Sequence, residues 1–239
     1  FSDGTGGTVN FIDAVPDTIA LTSGQLTISS NLSVLGSAAD RVTLNGSGTS
    51  RVFEINPGAS ARLDGLTITN GGGVTHGGGI MNRGTLVVNG CAIVNNTASG
   101  LGAGGGGLSS GAVSESGAVT TVINSTFVGN SAVFGGGASN TSANSLTLIN
   151  CTFSGNTATQ GAGGGFSNSG SGWIFNSTFS GNNASVGGGG VWADNGTLSM
   201  GNALVAGNSA TGGSPDLGRG FAGAVTSNGG NLIGNGQDT

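Results

Sequence analysis

The sequence has no lysine, no tyrosine, one histidine, two cysteines and three prolines in 239 residues, and only 6% of it is charged. Each shortage removes a class of function. Binding to nucleic acid needs clustered Lys and Arg to neutralise phosphates. Here five scattered arginines (Arg41, Arg51, Arg62, Arg83 and Arg219) stand against ten acids, for a net charge of −5. The same shortage disfavours an anionic membrane surface, and no apolar run approaches the ~20 residues that would span a bilayer. His76 is the sole histidine, and no His/Cys group has metal-ligand spacing, so neither metal nor cofactor is expected. The chain starts at Phe1 rather than Met, which is read as a mature protein whose signal peptide has been removed. Its lysine-free, Gly/Ser/Thr/Asn-rich composition agrees, and the expected location is secreted, at the cell surface.

What the sequence does have is glycine, 53 residues of it, placed in a repeat. Ile149-Asn150-Cys151-Thr152-Phe153-Ser154-Gly155-Asn156 recurs as Asn124–Asn130 and as Asn176–Asn182, and more loosely around Ile93 and Val205. Aligning the aromatic or branched position gives Ile68, Ile93, Phe127, Phe153, Phe179 and Val205, with steps of 25, 34, 26, 26 and 26 residues. A sustained period in this range marks a solenoid. Apolar residues alternate with polar ones at period two, as in strands. Helical spacing is absent, and the glycines would cost about 1 kcal/mol each in a helix.

Each unit has three parts. A glycine cluster leads into Ile80, Leu108, Ala138, Phe166 or Val191; a second strand follows, as in Val119–Ile123 or Ser145–Ile149; the third is the Phe-bearing strand. Three short strands per coil of about 26 residues predict a right-handed parallel β-helix whose coils stack at ~4.8 Å. The predicted organisation is a single domain over 1–239, with N-terminal coils in 1–62, regular repeats in 63–210 and a C-terminal coil or cap in 211–239. Within the 34-residue step, Ser109–Ala118 is expected to bulge as a loop. Stacking predicts columns: Phe127, Phe153 and Phe179 on one another; Asn96, Asn130, Asn156, Asn182 and Asn208 bonding to each other and to backbone; and a column of mostly small inward residues, Leu66, Cys91, Ser125, Cys151, Ser177 and Ala203. Cys91 and Cys151 are then two coils apart, beyond the ~7 Å that a disulfide allows between Cα atoms, so buried thiols are expected.

The Gly-Gly-Ile pattern (Gly78-Gly79-Ile80, Gly106-Gly107-Leu108, Gly136-Gly137-Ala138, Gly164-Gly165-Phe166, Gly189-Gly190-Val191) and the Phe-x-x-Asn pattern (Phe127–Asn130, Phe153–Asn156, Phe179–Asn182) resemble the paired repeat signatures of the bacterial polymorphic outer membrane proteins. The likeness covers roughly Leu63 to Ala210. It implies a parallel β-helix displayed outside the cell for adhesion or surface structure. The membrane β-barrel of that family has no counterpart in this sequence.

Parallel β-helices also carry polysaccharide lyases and hydrolases, so carboxylates matter. Glycoside hydrolysis uses two carboxyls ~5–9.5 Å apart. Between Gly84 and Ala193 the only charged residue is Glu115. Asp40, Glu54 and Asp64, or Asp13 and Asp17, could converge in N-terminal coils, but solvated turn charges are the simpler reading and no catalytic residue is expected. Sequons at Asn95, Asn124, Asn150 and Asn176 are a by-product of the repeat. Thr67, Thr126, Thr152 and Thr178 form a partial rank of the kind ice-binding solenoids use, interrupted by Ala92 and Leu204. Trp173 and Trp192 are the aromatics available for glycan contact, with Trp192 outward because Val191 points in. Neither terminus offers a capping helix, and the strand-like residues Phe1, Phe11, Ile12, Phe221, Leu232 and Ile233 leave coil edges able to pair with another copy. The preferred reading is a non-enzymatic structural protein, a homopolymer built by end-to-end coil stacking. Next comes a monomeric adhesin that binds glycans or a cell surface, and third a polysaccharide-acting enzyme.

Overall fold

The computed structural model describes residues 6–11, 18–36, 42–112 and 114–235. Among these the chain is all strand and turn, an all-β parallel solenoid of about eight coils of roughly 26 residues. Three long sheets run the length of the stack. The first contains Thr85–Asn89, Val119–Ile123, Ser145–Ile149, Ser171–Phe175 and Thr197–Gly201; the second contains Thr67–Thr69, Ala92–Val94, Thr126–Val128, Thr152–Ser154 and Thr178–Ser180. The third contains Phe53–Ile55, Ile80–Asn82, Leu108–Ser110, Ala138–Asn140, Phe166–Asn168 and Val191–Ala193. Sequence reading gave three strands per coil. Four coils carry a fourth short strand, Ser131–Ala132, Thr157–Ala158, Asn183–Ala184 and Ser209–Ala210, paired as a small sheet of their own.

The expected column is seen residue for residue: Ile68 pairs with Ile93, Ile93 with Phe127, Phe127 with Phe153, Phe153 with Phe179 and Phe179 with Val205. The three phenylalanines stack at centroid distances of 4.4 and 4.6 Å with ring planes within 6° and 11° of parallel. Parallel strands fix the coil spacing near 4.8 Å, and that spacing imposes the face-to-face stack.

The two sequence patterns form one packing device. In each Gly-Gly-Gly cluster the first residue (Gly77, Gly105, Gly135, Gly163, Gly188) has φ between 56° and 73°, a region that carries a steric cost for most side chains. A Cβ on the second would lie 2.1–2.5 Å from the carbonyl oxygen one residue beyond the column asparagine, as Gly136 does with Thr157 and Gly164 with Asn183. A Cβ on the third would strike the aromatic ring itself: Gly107 on Phe127, Gly137 on Phe153 and Gly165 on Phe179 at 2.7–3.0 Å. The glycines are the negative of the Phe-x-x-Asn segment.

The asparagine column is a buried ladder, with Asn96, Asn130, Asn156 and Asn182 all at 0% exposure. Asn130 Nδ2 donates to Asn156 Oδ1 at 2.9 Å and to the Ile93 carbonyl at 2.9 Å, and its backbone N–H donates to the same Oδ1 at 3.0 Å. The unit repeats from Asn96 to Asn208, so each amide is saturated. At its C-terminal end the buried Asp216 accepts from Asn208 N and Nδ2 at 2.9 and 2.8 Å. A carboxylate has no donor to pass on, so the ladder stops there.

The small inward column is also an acceptor ladder. Cys91 N–H donates to Ser125 Oγ at 3.1 Å and Cys151 N–H to Ser177 Oγ at 3.0 Å; Leu66 N–H reaches Cys91 Sγ at 3.5 Å. Both cysteines are buried thiols, and Ser125 sits between them in the register. Burial pushes the Cys151 thiol up to about 11.

Two expectations change. The loop in the long coil begins at Gly111 rather than Ser109, because Leu108–Ser110 is a strand in register with Ala138–Asn140. Glu54 and Asp64 do not converge: Glu54 lies on the third sheet, whereas Asp64 lies on the first, bonded by Arg62 Nη2 at 2.9 Å. Asp13, Asp17 and Asp40 lie outside the described residues. Of the proposed end residues, Phe11 and Ile233 pack partly against the core, Leu232 is 65% exposed and Phe221 is fully exposed. Phe1 and Ile12 lie outside the described residues.

Candidate functional site

The Phe, Asn and Cys columns point inward, so the sequence-predicted residues build the rod and leave its outer faces to other side chains. On the third sheet the middle residue of each strand faces out, while its neighbours are core. Read along the stack by pairing, this outward column is Glu54, Met81, Ser109, Ser139, Ser167, Trp192 and Gly218.

Two walls rise beside it. On one side is the residue that precedes each glycine triplet: His76 pairs with Gly104, and Gly104 with Phe134. On the other are the residues that follow each strand, Thr141, Ser169 and Asp194, whose backbone N–H groups donate to Ser110, Asn140 and Asn168 of the preceding coil at 2.7–3.1 Å. Between the walls lies a groove of about 270 Å³, lined by His76, Phe134, Ser139, Ser167, Trp192 and Asp194 among others.

Both aromatics are seated on glycine. A Cβ on Gly218 would lie 2.6 Å from the Trp192 ring, and one on Gly161 would lie 2.2 Å from the Phe134 ring. Trp192 is half-buried as the register predicts, and Phe134 is 43% exposed. Trp173 lies on the first sheet, away from this groove.

The N-terminal end of the groove is closed by ions. Arg51, 8% exposed, bonds Glu54 Oε2 at 3.0 Å and the carbonyls of His76 and Gly77 at 2.7 and 3.0 Å, and Gln25 Nε2 also contacts Glu54. Arg83 lies 3.3 Å from both Glu54 and Glu115, which ties the 111–118 loop down. Met81 and Ser109, at outward positions beside this network, are completely buried. Burial lowers the Arg51 pKa against the pull of Glu54. His76 is also held below its ordinary value, first by burial and then by Arg51, outweighing Glu115. Its Nδ1 accepts the Gly104 N–H at 3.2 Å, which leaves Nε2–H as the donor.

Chemically the groove offers two apolar ring surfaces, serine and threonine hydroxyls that both donate and accept, one carboxylate acceptor and one imidazole donor. Among the described residues no group of three His, Cys, Asp or Glu could hold a metal ion. A second depression, about 580 Å³, is lined by Asn, Ser, Gly and Thr around Asn70 and Asn95, with no aromatic or titratable group. Sequence reasoning reached Trp192 but missed Phe134, Ser139, Ser167 and Asp194. The usable signal was positional: Phe134 immediately precedes a glycine triplet, as His76 does two coils earlier. No family model, curated protein or solved structure matches this chain.

Proposed function

We propose that this chain is a non-catalytic extracellular solenoid that binds a glycan in the groove on its third sheet. The observation that carries the reading is the pair of rings, Trp192 and Phe134, seated on glycines beside a floor of serine hydroxyls. A pyranose presents an apolar C–H face and a hydroxyl edge, and this lining matches both. The groove lining holds a single carboxylate, Asp194, where paired-carboxyl hydrolysis uses two. The resemblance to polymorphic outer membrane protein repeats belongs with this proposal, since adhesion at a bacterial surface is what it implies. Immobilised-glycan binding by the wild-type chain and by Trp192→Ala tests the reading. Binding lost in the variant supports it, and absence of binding to any glycan removes it.

End-to-end self-assembly is the second reading. Among the described residues, Gly7–Asn10 and Ala224–Ser227 are the terminal strands of the first sheet, each with one unpaired edge. Leu232 and Phe221 add exposed apolar surface at one end. Negative-stain electron microscopy over a concentration series separates rods that lengthen from rods of one length.

A further inference from the structure

We propose that the groove takes uncharged sugar chains and rejects acidic ones, an inference that rests on the glycan reading above. The protein contains no lysine, so an acidic sugar must be met by arginine. Arg51 and Arg83 stand closest, and both are held by Glu54, with Glu115 as a second partner of Arg83. Arg51 also donates to the carbonyls of His76 and Gly77 and to Gln25 Oε1. Arg62 is paired with Asp64 on the first sheet. Arg219 is exposed on the strand paired with that of Trp192 and does not line the groove, and Arg41 lies outside the described residues.

Among the described residues, a uronate carboxylate entering the groove would therefore meet Asp194 without the arginine fork that usually receives such a group. Neutral hydroxyls find partners throughout. Ser139, Ser167, Ser169 and Thr141 donate or accept, Asp194 accepts, and His76 Nε2–H donates.

The test uses the full chain with Trp173→Phe, so that emission reports Trp192 alone. Neutral gluco-, manno- and galacto-oligosaccharides are titrated beside galacturonic and glucuronic acid oligomers of matched length. The expected result is saturable binding of at least one neutral series and none of the uronates. Trp192→Ala, followed calorimetrically, should weaken that binding about tenfold or more, the scale of one lost aromatic contact. Asp194→Asn should weaken neutral binding severalfold and admit uronates, with circular dichroism confirming the fold of each variant. Uronates that bind as tightly as neutral chains and depend on Trp192 would overturn the neutral-sugar inference and leave the glycan reading standing. Neither class binding would overturn both.

Discussion

Asn156 shows what a single residue does in this chain. Its side chain donates to the Phe127 carbonyl and to Asn182 Oδ1, and accepts from Asn130 N and Nδ2, all between 2.9 and 3.0 Å with no water exposure. Replacing it with alanine strands several buried polar groups at once. Because each costs about 1–3 kcal/mol, Asn156→Ala should lower unfolding stability by roughly 3 kcal/mol or more, measured by urea denaturation. Asn156→Asp should not rescue it, because a carboxylate cannot donate to Phe127 or Asn182. Cys151, 2% exposed and raised to about 11, should resist iodoacetamide at pH 8 until the protein unfolds. His76 gives a pH dependence. Its folded pKa lies below the ordinary value of 6.5, so on acidification the unfolded state takes up the proton first. Stability should therefore fall as pH drops below about 6.5, and His76→Gln should flatten that part of the profile.

Pairs of elements explain why the sequence patterns come together. The third glycine of a triplet and the aromatic of the next Phe-bearing strand occupy one volume, as Gly137 and Phe153 do at 2.7 Å. Gly137→Ala should be destabilising by about 1–3 kcal/mol, the usual scale of overpacking, and Phe153→Leu by a cavity cost of similar size. Combined, the two should cost close to their sum, because the Gly165 carbonyl oxygen lies 2.5 Å from the new methyl, nearer than the ring, and shortening the side chain does not move it. Thermal melts of the four proteins measure the coupling. The same geometry outside the core governs the groove: Gly218→Ala should displace Trp192 and shift its emission maximum.

At the scale of the molecule, each coil touches only its neighbours, so stability propagates along one dimension. The core is continuous from Ile28 to Leu217, while the terminal strands Gly7–Asn10 and Ala224–Ser227 are largely exposed. Amide exchange should be slowest in the second-sheet strands Thr126–Val128, Thr152–Ser154 and Thr178–Ser180, and fastest in those terminal strands. Uniform protection from end to end would show instead that the rod opens as one unit.

The sequence alone determined the coil, its period and its inward columns, because stacking at one spacing requires like residues at like positions and so writes itself into the chain. It also located the long coil's insertion to within two residues. The groove was decided by the tertiary structure. His76 and Phe134, Ser139 and Ser167, and Trp192 and Asp194 come from four coils and have no shared motif. What unites them is the parallel register that stacks each coil on the last, and part of the arginine pairing that seals one end comes from a loop whose Glu115 reaches Arg83 of the preceding coil. The short fourth sheet escaped for a related reason: its strands recur every 26 residues, but two residues are too few to show strand alternation and become strands only when a neighbouring coil supplies the partner.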